Sequence, residues 1–398
     1  MPVWHEVTKQ WVKDGKIVLI GVTQEQHPER CQLFAQWKRF DWPILHDPIN
    51  VLGSNAVPII LALDEHGIVR STRPNPKSFD IDFLNKSFAD DAVANKPESA
   101  TPSYPPKFDD LKAASEKAKS AVTWRRYGDA LALWGDEKQL PTAVAAYREA
   151  VKLDPNDGAA WFRLGVCLRR RFETMAREGD DFRGAVEAWG TALDLDPNQY
   201  IWRRRIQQYG PRLDKPYPFY DWVAESEAAI RRRGETPVVL PVRPDGAEIA
   251  QPTKSFAVQN VVPQNPDPMG RINHDEGSVA CEVVFVPASV KPGQSVRVHL
   301  TFRLAPKSTD HWNNEAEPLR VWADPPDGVA INERLVEAEK PKMATSGEDR
   351  TVGFEIQIPS GASGTIRVPV YALYHLCDDQ DGECRFLRLD VNLELKVK

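Results

Sequence analysis

Five cysteines occur in 398 residues, and two of them, Cys377 and Cys384, stand close together. Two neighbouring thiols can join as a disulfide, stay reduced in a sheet, or share a metal with a residue such as His375. The stretch from Val370 to Asp390 suggests the first. It reads as two β-strands rich in aromatic and β-branched residues, joined by a polar loop with Asp381-Gly382 at its turn. Antiparallel pairing would set the cysteines nearly opposite each other. Facing residues then have Cα atoms roughly 4.5–5.5 Å apart, and a disulfide needs about 4.4–6.8 Å. A bridge there closes a loop that strand pairing already closes, so it adds little stability. That favours redox use over stapling. One feature opposes it: Asp378, Asp379, Asp381 and Glu383 crowd the loop, and nearby carboxylates disfavour a thiolate. The acidic run has neither the spacing nor the flanking helices of a calcium loop.

The chain around this pair is long enough for two to four domains. Its 41% hydrophobic and 27% charged residues are ordinary for a globular protein. A formal net charge of −6 argues against a general nucleic-acid binder. The odd cysteine count does not fit a disulfide-dense secreted scaffold. No apolar run approaches the roughly 18 residues of a membrane span, and no cofactor is expected. The opening Met-Pro-Val-Trp-His-Glu-Val lacks the regions of a signal peptide, so a start at Met1 implies a cytoplasmic protein.

Residues 1–90 read as α-β-α-β-β-α. Helices are expected over 2–14, 28–40 and 79–88, and buried strands over 16–22 and 57–63. A hairpin turn is expected at Asp64–Gly67, with a partner strand starting at Ile68. Val57-Pro58-Ile59 and Leu63-Asp64-Glu65-His66-Gly67-Ile68-Val69 resemble the proline loop and hairpin of thioredoxin-like redoxins. The resemblance implies a cis peptide at Pro58. The redoxin's first strand and its Cys-x-x-Cys have no counterpart here. Either they lie upstream, which the reading favours, or the domain is degenerate. Cys31 reads as a small core residue within a helix.

A linker over 91–106 leads to helical repeats over 107–236. Trp124-x-x-Tyr127-Gly128-x-x-Leu131 and Ala143-x-x-x-Tyr147-x-x-Ala150-x-x-x-x-Pro155 recur as Trp161-x-x-Leu164-Gly165-x-x-Leu168 and Ala185-x-x-x-Trp189-x-x-Ala192-x-x-x-x-Pro197. The two lines resemble tetratricopeptide repeats. A divergent third pair is expected at 201–209 and 220–233. Basic runs at 169–171, 203–205 and 231–233 fit either a groove for the acidic peptide tails of protein partners, or solvated helix faces and helix C-terminal charges, with the latter favoured.

A Pro-rich linker over 237–252 precedes 253–398, where seven or so strands with Pro/Gly turns suggest an immunoglobulin-like sandwich. They are expected over 256–262, 279–286, 295–304, 319–322, 351–358, 365–376 and 384–397. His311-Trp312-Asn313-Asn314-Glu315, Pro318-Leu319-Arg320-Val321-Trp322 and Tyr371 through Phe386 resemble the amino-terminal domain of the bacterial thiol–disulfide interchange protein DsbD. The resemblance implies that Cys377 and Cys384 exchange disulfides with partner thiols. Either His311 and Trp312 order a loop that shields the pair, or Asn313 and Asn314 mark only a polar turn.

The fold class expected is therefore multidomain: an α/β thioredoxin-like fragment, an all-α repeat solenoid and an all-β sandwich. The function expected is thiol–disulfide exchange at Cys377 and Cys384 on a partner-docking scaffold. The alternative is a non-enzymatic interaction scaffold with a degenerate redoxin segment. Exchange implies an extracytoplasmic location, periplasmic or secreted, with the true start upstream.

Overall fold

The computed structural model describes residues 2–88, 105–211, 220, 222–244, 248–249, 263–306, 308–378 and 382–398. Most of the 91–106 linker, part of the 237–252 linker and the strand expected over 256–262 lie outside the described residues. Helices and strands are both present. Residues 1–181, 191–205 and 221–243 form one compact unit, and residues 182–190, 206–220 and 244–398 form another. Among the described residues no helix is long and apolar enough to cross a membrane.

The first unit opens with α1 (Pro2–Lys13), whose Trp4 and Trp11 pack on Phe79 with ring centroids 5.4 and 5.8 Å away. β1 (Gly21–Thr23) pairs in parallel with β2 (Ile44–His46), across α2 (Pro28–Lys38). β3 (Ala62–Leu63) and β4 (Val69–Ser71) form a separate hairpin. Asp64 fixes its turn, accepting from the amides of His66 and Ile68 and from Arg70 Nε. The Val57–Pro58 peptide is cis.

Three sequence expectations need correction here. The strands over 16–22 and 57–63 shrink to β1 and β3, and the helix over 79–88 is a single π-turn, Asp80–Leu84. β2 was not anticipated. The apolar runs carry strand-forming side chains on both faces, but pairing needs a neighbour as well as a pattern. In consequence Val18 (79% exposed), Ile20, Val22 and Leu45, and likewise Ile59, Leu61, Leu63 and Val69, stay open to solvent. Alternating neighbours such as Gly21 and Ala62 are buried.

The helical part of this unit begins with α3 (Phe108–Ala118), α4 (Ala121–Trp134), α5 (Leu140–Leu153) and α6 (Gly158–Phe172). Next in the chain come α7 (Asp181–Leu195), whose residues 182–190 belong to the second unit, α8 (Tyr200–Gln207), whose last two residues do as well, and α9 (Trp222–Arg232) of the first unit. Ser120 and Asp157 cap α4 and α6, accepting from the amides of Thr123 and Ala160. Small residues sit where neighbours come closest: a Cβ on Gly128 would lie 2.9 Å from the Tyr147 ring, and one on Gly158 2.9 Å from Trp202. Between α4 and α5, Glu137–Gln139 fold as a 3₁₀ turn capped by Asp136. α9, the second helix of the expected third pair, packs on α2, where Trp222 meets Phe34 edge-on and stacks on Trp37.

Some arginines of the basic runs turn inward, as does Arg163 outside them, while Arg203, Arg231 and Arg232 are exposed. Arg163 donates to both carboxylate oxygens of Asp129 and to the carbonyls of Ile49 and Asn50. Arg205 donates to Gln26 and to the carbonyls of Gln24 and Pro48. Arg171 is bound by Glu178 and Asp181, and Arg233 by Glu235 and the carbonyls of Gln36 and Trp37. The faces of α6 and α8 that bear Arg163 and Arg205 thus hold the chain's own residues 24–26 and 48–50.

Among these groups lies His27, buried, its pKa lowered to about 2 by burial first and then by Arg30, Arg169 and Arg205. Glu173 lies 3.6 Å from its Nε2, but Arg169 engages that carboxylate at 2.9 Å. A histidine whose folded pKa is depressed contributes fully above its unfolded pKa, near 6.5. Its contribution falls as pH drops below that value. His46, also lowered chiefly by burial, acts in the same direction. Urea unfolding of the first unit is therefore expected to lose about 2 kcal/mol through His27 alone between pH 7 and 5. His27→Gln should flatten that slope; an identical slope in both proteins would contradict the assignment.

Among the described residues, the second unit holds two sheets. One takes β6 (Val279–Val286), β7 (Ser295–Leu304), β13 (Arg350–Gln357) and β10 (Ala330–Ile331), in the order β10-β13-β7-β6. The other runs β11-β9-β14-β15-β5, with β8 beside β14 and β12 beside β8. Its strands are β5 (Asn273–His274), β8 (Asp310–Asn313), β9 (Arg320–Ala323), β11 (Leu335–Glu337), β12 (Thr345–Ser346), β14 (Gly364–Asp378) and β15 (Cys384–Val397). Val298, Leu300, Phe302, Phe354 and Ile356 from the first sheet share one apolar core with Trp312, Val321, Ala372, Tyr374, Leu376 and Leu393 from the second. Strand alternation delivers these residues to one side.

Candidate functional site

β14 and β15 are the two longest strands, paired antiparallel from Gly364↔Val397 to Cys377↔Cys384. The pairing extends that far because each strand buries alternate apolar residues in the core: Val370, Ala372, Tyr374 and Leu376 on β14, and Leu387, Val391, Leu393 and Leu395 on β15. At the end of this ladder Cys377 and Cys384 are joined by a disulfide, with Cα atoms 4.0 Å apart. The turn closes through two backbone bonds, Asp378 N to Glu383 O at 2.9 Å and Gly382 N to Asp378 O at 3.0 Å. Gly382 takes φ +67°, a conformation glycine adopts without steric cost. Asp379, Gln380 and Asp381 lie outside the described residues.

The two sulfurs are not equivalent. β14 runs between β15 and β8, so Cys377 faces Cys384 on one side and His311 on the other. Cys377 is 8% exposed, whereas Cys384 is exposed. β15 has β5 beside it only at Leu387 and Arg388, which leaves the outer flank of Cys384 without a strand partner among the described residues. Topology alone therefore makes one sulfur approachable and the other covered.

Alternation also decides what surrounds the pair. Leu376 and Tyr374 point into the core, so Cys377 and His375 lie on the outer face. There the His375 ring stacks on Phe386 with centroids 4.3 Å apart, and burial lowers the His375 pKa. Behind them Tyr371, Leu373 and Trp322 form a small second apolar cluster. His311, directly across from Cys377, shares the outer face. Trp312, one residue on, points the other way. It meets Tyr374 edge-on in the core at 5.6 Å, and its Nε1 donates to the Glu348 carbonyl at 2.8 Å. The pairing of His311 and Trp312 as joint shields of the disulfide is thus corrected: the two-residue period of β8 separates them.

Charge gathers at the rim. Arg385 forms an ion pair with Asp310, which holds the guanidinium pKa above its ordinary value. Thr309 Oγ1 donates to Asp378 Oδ1 at 3.0 Å, and Glu383 is exposed beside Cys384. Sequence reasoning passed over Arg385 and Asp310. Their signal is positional, since each lies one residue from a partner of Cys377.

The remaining thiols are unlinked. Burial pushes Cys167 and Cys281 up to about 12 and raises Cys31. Pro58, in its cis linkage, belongs to the first unit. Among the described residues no cluster of three or more His, Cys, Asp or Glu is arranged to hold a metal.

No protein-family model matches this chain, and no curated protein sequence matches it. Among solved structures, the sporulation control protein Spo0M from Bacillus subtilis is 12% identical, over 31% of this chain and 50% of its own, with a TM-score of 0.16. This chain thus spans half of that protein's length. AvmM, described as catalysing macrocyclization in alchivemycin A biosynthesis, is 10% identical over 30% of this chain and 90% of its own, with a TM-score of 0.17. The PapD-like domain 7 of human CEP192 is 9% identical over 36% and 94%, with a TM-score of 0.15. Similarity at this level carries no argument about fold or activity.

Proposed function

We propose that this protein exchanges disulfides with partner thiols at Cys377–Cys384. The observation that carries the reading is the asymmetry of the bridge: one sulfur exposed at an open sheet flank, the other covered between two strands. An incoming thiolate attacks Cys384 Sγ in line with the bond to Cys377. The Cys377–Cys384 bond breaks as the bond from the partner's sulfur to Cys384 forms, and the electron pair leaves on Cys377 Sγ, which takes a proton. A second thiol of the partner then attacks the mixed disulfide, releases Cys384 as a thiol and leaves the partner oxidised. Two partner thiols are oxidised to one disulfide, and one protein disulfide becomes two thiols.

The strand pairing around the bridge supports the exchange role, because the backbone ladder of β14 and β15 holds the hairpin in addition to the sulfurs. The finer architectural reading goes with it: an immunoglobulin-like sandwich similar to the amino-terminal domain of DsbD, tetratricopeptide-like helices and a redoxin-like segment. In this reading the redoxin-like segment is structural, since Cys31 is unlinked and its thiol pKa is raised. The helices serve as a scaffold for protein partners, on surfaces other than those where Arg163 and Arg205 hold residues 24–26 and 48–50. An exchange protein of this kind works where disulfides persist, in the periplasm or outside the cell.

The test is thiol alkylation with mass analysis, on the full chain equilibrated across a glutathione redox series. Cys377 and Cys384 are expected to convert together between linked and alkylated forms, while Cys167 and Cys281 stay thiols throughout. A pair that resists reduction at every ratio would leave the non-enzymatic scaffold as the reading.

A further inference from the structure

We infer that His311 is the proton donor and acceptor for the covered sulfur: its ring protonates Cys377 as the disulfide opens and takes that proton back as it closes. The inference rests on the exchange reading above and adds a catalytic residue to it. Attack at Cys384 sends the electron pair to Cys377 Sγ, and Cys377 is 8% exposed between β8 and β15. Negative charge on a sulfur shut away from water is disfavoured unless an opposite charge or a hydrogen-bond donor meets it. Of the described residues, the register sets two directly opposite Cys377: Cys384 on one side and His311 on the other. Directly opposed residues hold their Cβ atoms about 4.5–5.5 Å apart on one face of the sheet. That separation puts an imidazole nitrogen within reach of the sulfur. His311 is half-buried, so the same ring also meets solvent, with which it trades the proton.

The other ionisable groups near this position are less suited. His375 lies two residues from Cys377 on β14, but it stacks on Phe386 and burial lowers its pKa. Asp310, beside His311, is paired with Arg385. Asp378 accepts from Thr309 Oγ1, and Glu383 is exposed in the turn. On its other side β8 meets β12, which sets Ser346 opposite Trp312, and Glu348 two residues on is held by Arg350. On reduction, the partner's thiolate forms its bond to Cys384 Sγ and the Cys377–Cys384 bond breaks. The electron pair left on Cys377 Sγ takes a proton from the His311 imidazolium. A protonated ring beside the sulfur also makes Cys377 the better leaving group, since a thiol of lower pKa leaves faster. On reoxidation the neutral ring removes the Cys377 proton. The thiolate then attacks Cys384 Sγ of the mixed disulfide, and the partner's sulfur leaves with its electron pair.

The experiment follows reduction of the oxidised full chain by 2-mercaptoethanol between about pH 5 and 8, the range in which histidine changes charge. Rates are expressed per thiolate, which removes the titration of the reagent. The wild-type rate is expected to fall roughly tenfold as pH rises, because the imidazolium is lost. His311→Gln should react at one low rate across the range. His311→Lys, cationic throughout, should react at one higher rate, which separates the charge of the side chain from mere disturbance of β8. A slope kept in His311→Gln, or a slope lost in His375→Gln instead, overturns the role of His311 while leaving exchange standing. Equal rates in His311→Lys and His311→Gln overturn it as well. Failure of the thiol to reduce the wild-type bridge at every pH overturns exchange itself, and the role of His311 with it.

Discussion

Cys377→Ser is expected to accumulate a stable mixed disulfide through Cys384, and Cys384→Ser is expected not to. In the first variant the remaining thiol is the exposed one, on a flank without a strand partner among the described residues. It can attack an oxidised partner, and no neighbouring sulfur is left to resolve the product. In the second variant Cys377 remains between β8 and β15 at 8% exposure, and a partner disulfide cannot come into line with it without opening the ladder. Treatment of each purified variant with oxidised glutathione, read by mass, should show trapping in Cys377→Ser faster by roughly tenfold or more. Equal trapping by the two variants would mean that the hairpin opens easily and that topology does not choose the sulfur. Reduction should also cost the second unit little stability, because the disulfide closes a loop of sequence separation 7 that the strands already hold.

Arg171→Ala should be the most damaging substitution in the helical unit, lowering its stability by about 3–5 kcal/mol. Arg171 and Asp181 have side chains only 2% and 1% exposed, joined at 2.6 and 3.0 Å by two hydrogen bonds. Glu178 adds a second carboxylate, at 2.7 and 2.9 Å. Burial works against the arginine's charge, but the two acids more than offset it and raise its pKa. Truncation leaves Asp181 buried with its main cation gone, still accepting from the Glu178 amide at 2.9 Å. The cost is the unpaired charge rather than the lost contact. Replacing both partners together, Arg171→Met with Asp181→Leu, should therefore recover most of the loss. Urea unfolding followed by circular dichroism checks both; a single truncation costing under about 1 kcal/mol would contradict it.

How legible these features were in the sequence varied with their cause. β6, β7 and β15 occupy the ranges their alternation and bounding turns predicted, since a strand with one buried face announces itself every second residue. The facing of Cys377 and Cys384 came the same way, from two patterned strands and a marked turn. β8 escaped because His311-Trp312-Asn313-Asn314 is short and rich in turn-forming residues. Its strand state comes from a neighbour, β14, more than sixty residues away. The N-terminal strands failed in the opposite sense: the pattern was present and the pairing was short. The fate of the basic runs was beyond periodicity altogether. Helical spacing shows that Arg205 is cationic, but two of its acceptors are the carbonyls of Gln24 and Pro48, which carry no sequence signature.

The Cys377–Cys384 bond has a further consequence, for slippage rather than chemistry. In a hairpin a shift of one residue turns every side chain to the wrong face. β14 and β15 pair over fourteen successive positions, Gly364↔Val397 to Cys377↔Cys384. A covalent link at the turn end admits one alignment and blocks all neighbouring ones, whatever the remaining pairs do. An oxidised chain therefore inherits its alignment from the bridge. A reduced chain must find it through the turn and the burial of Val370, Ala372, Tyr374 and Leu376 alone. Each reduced hairpin that unzips and rejoins repeats that choice, so the bridge acts as a latch against misalignment.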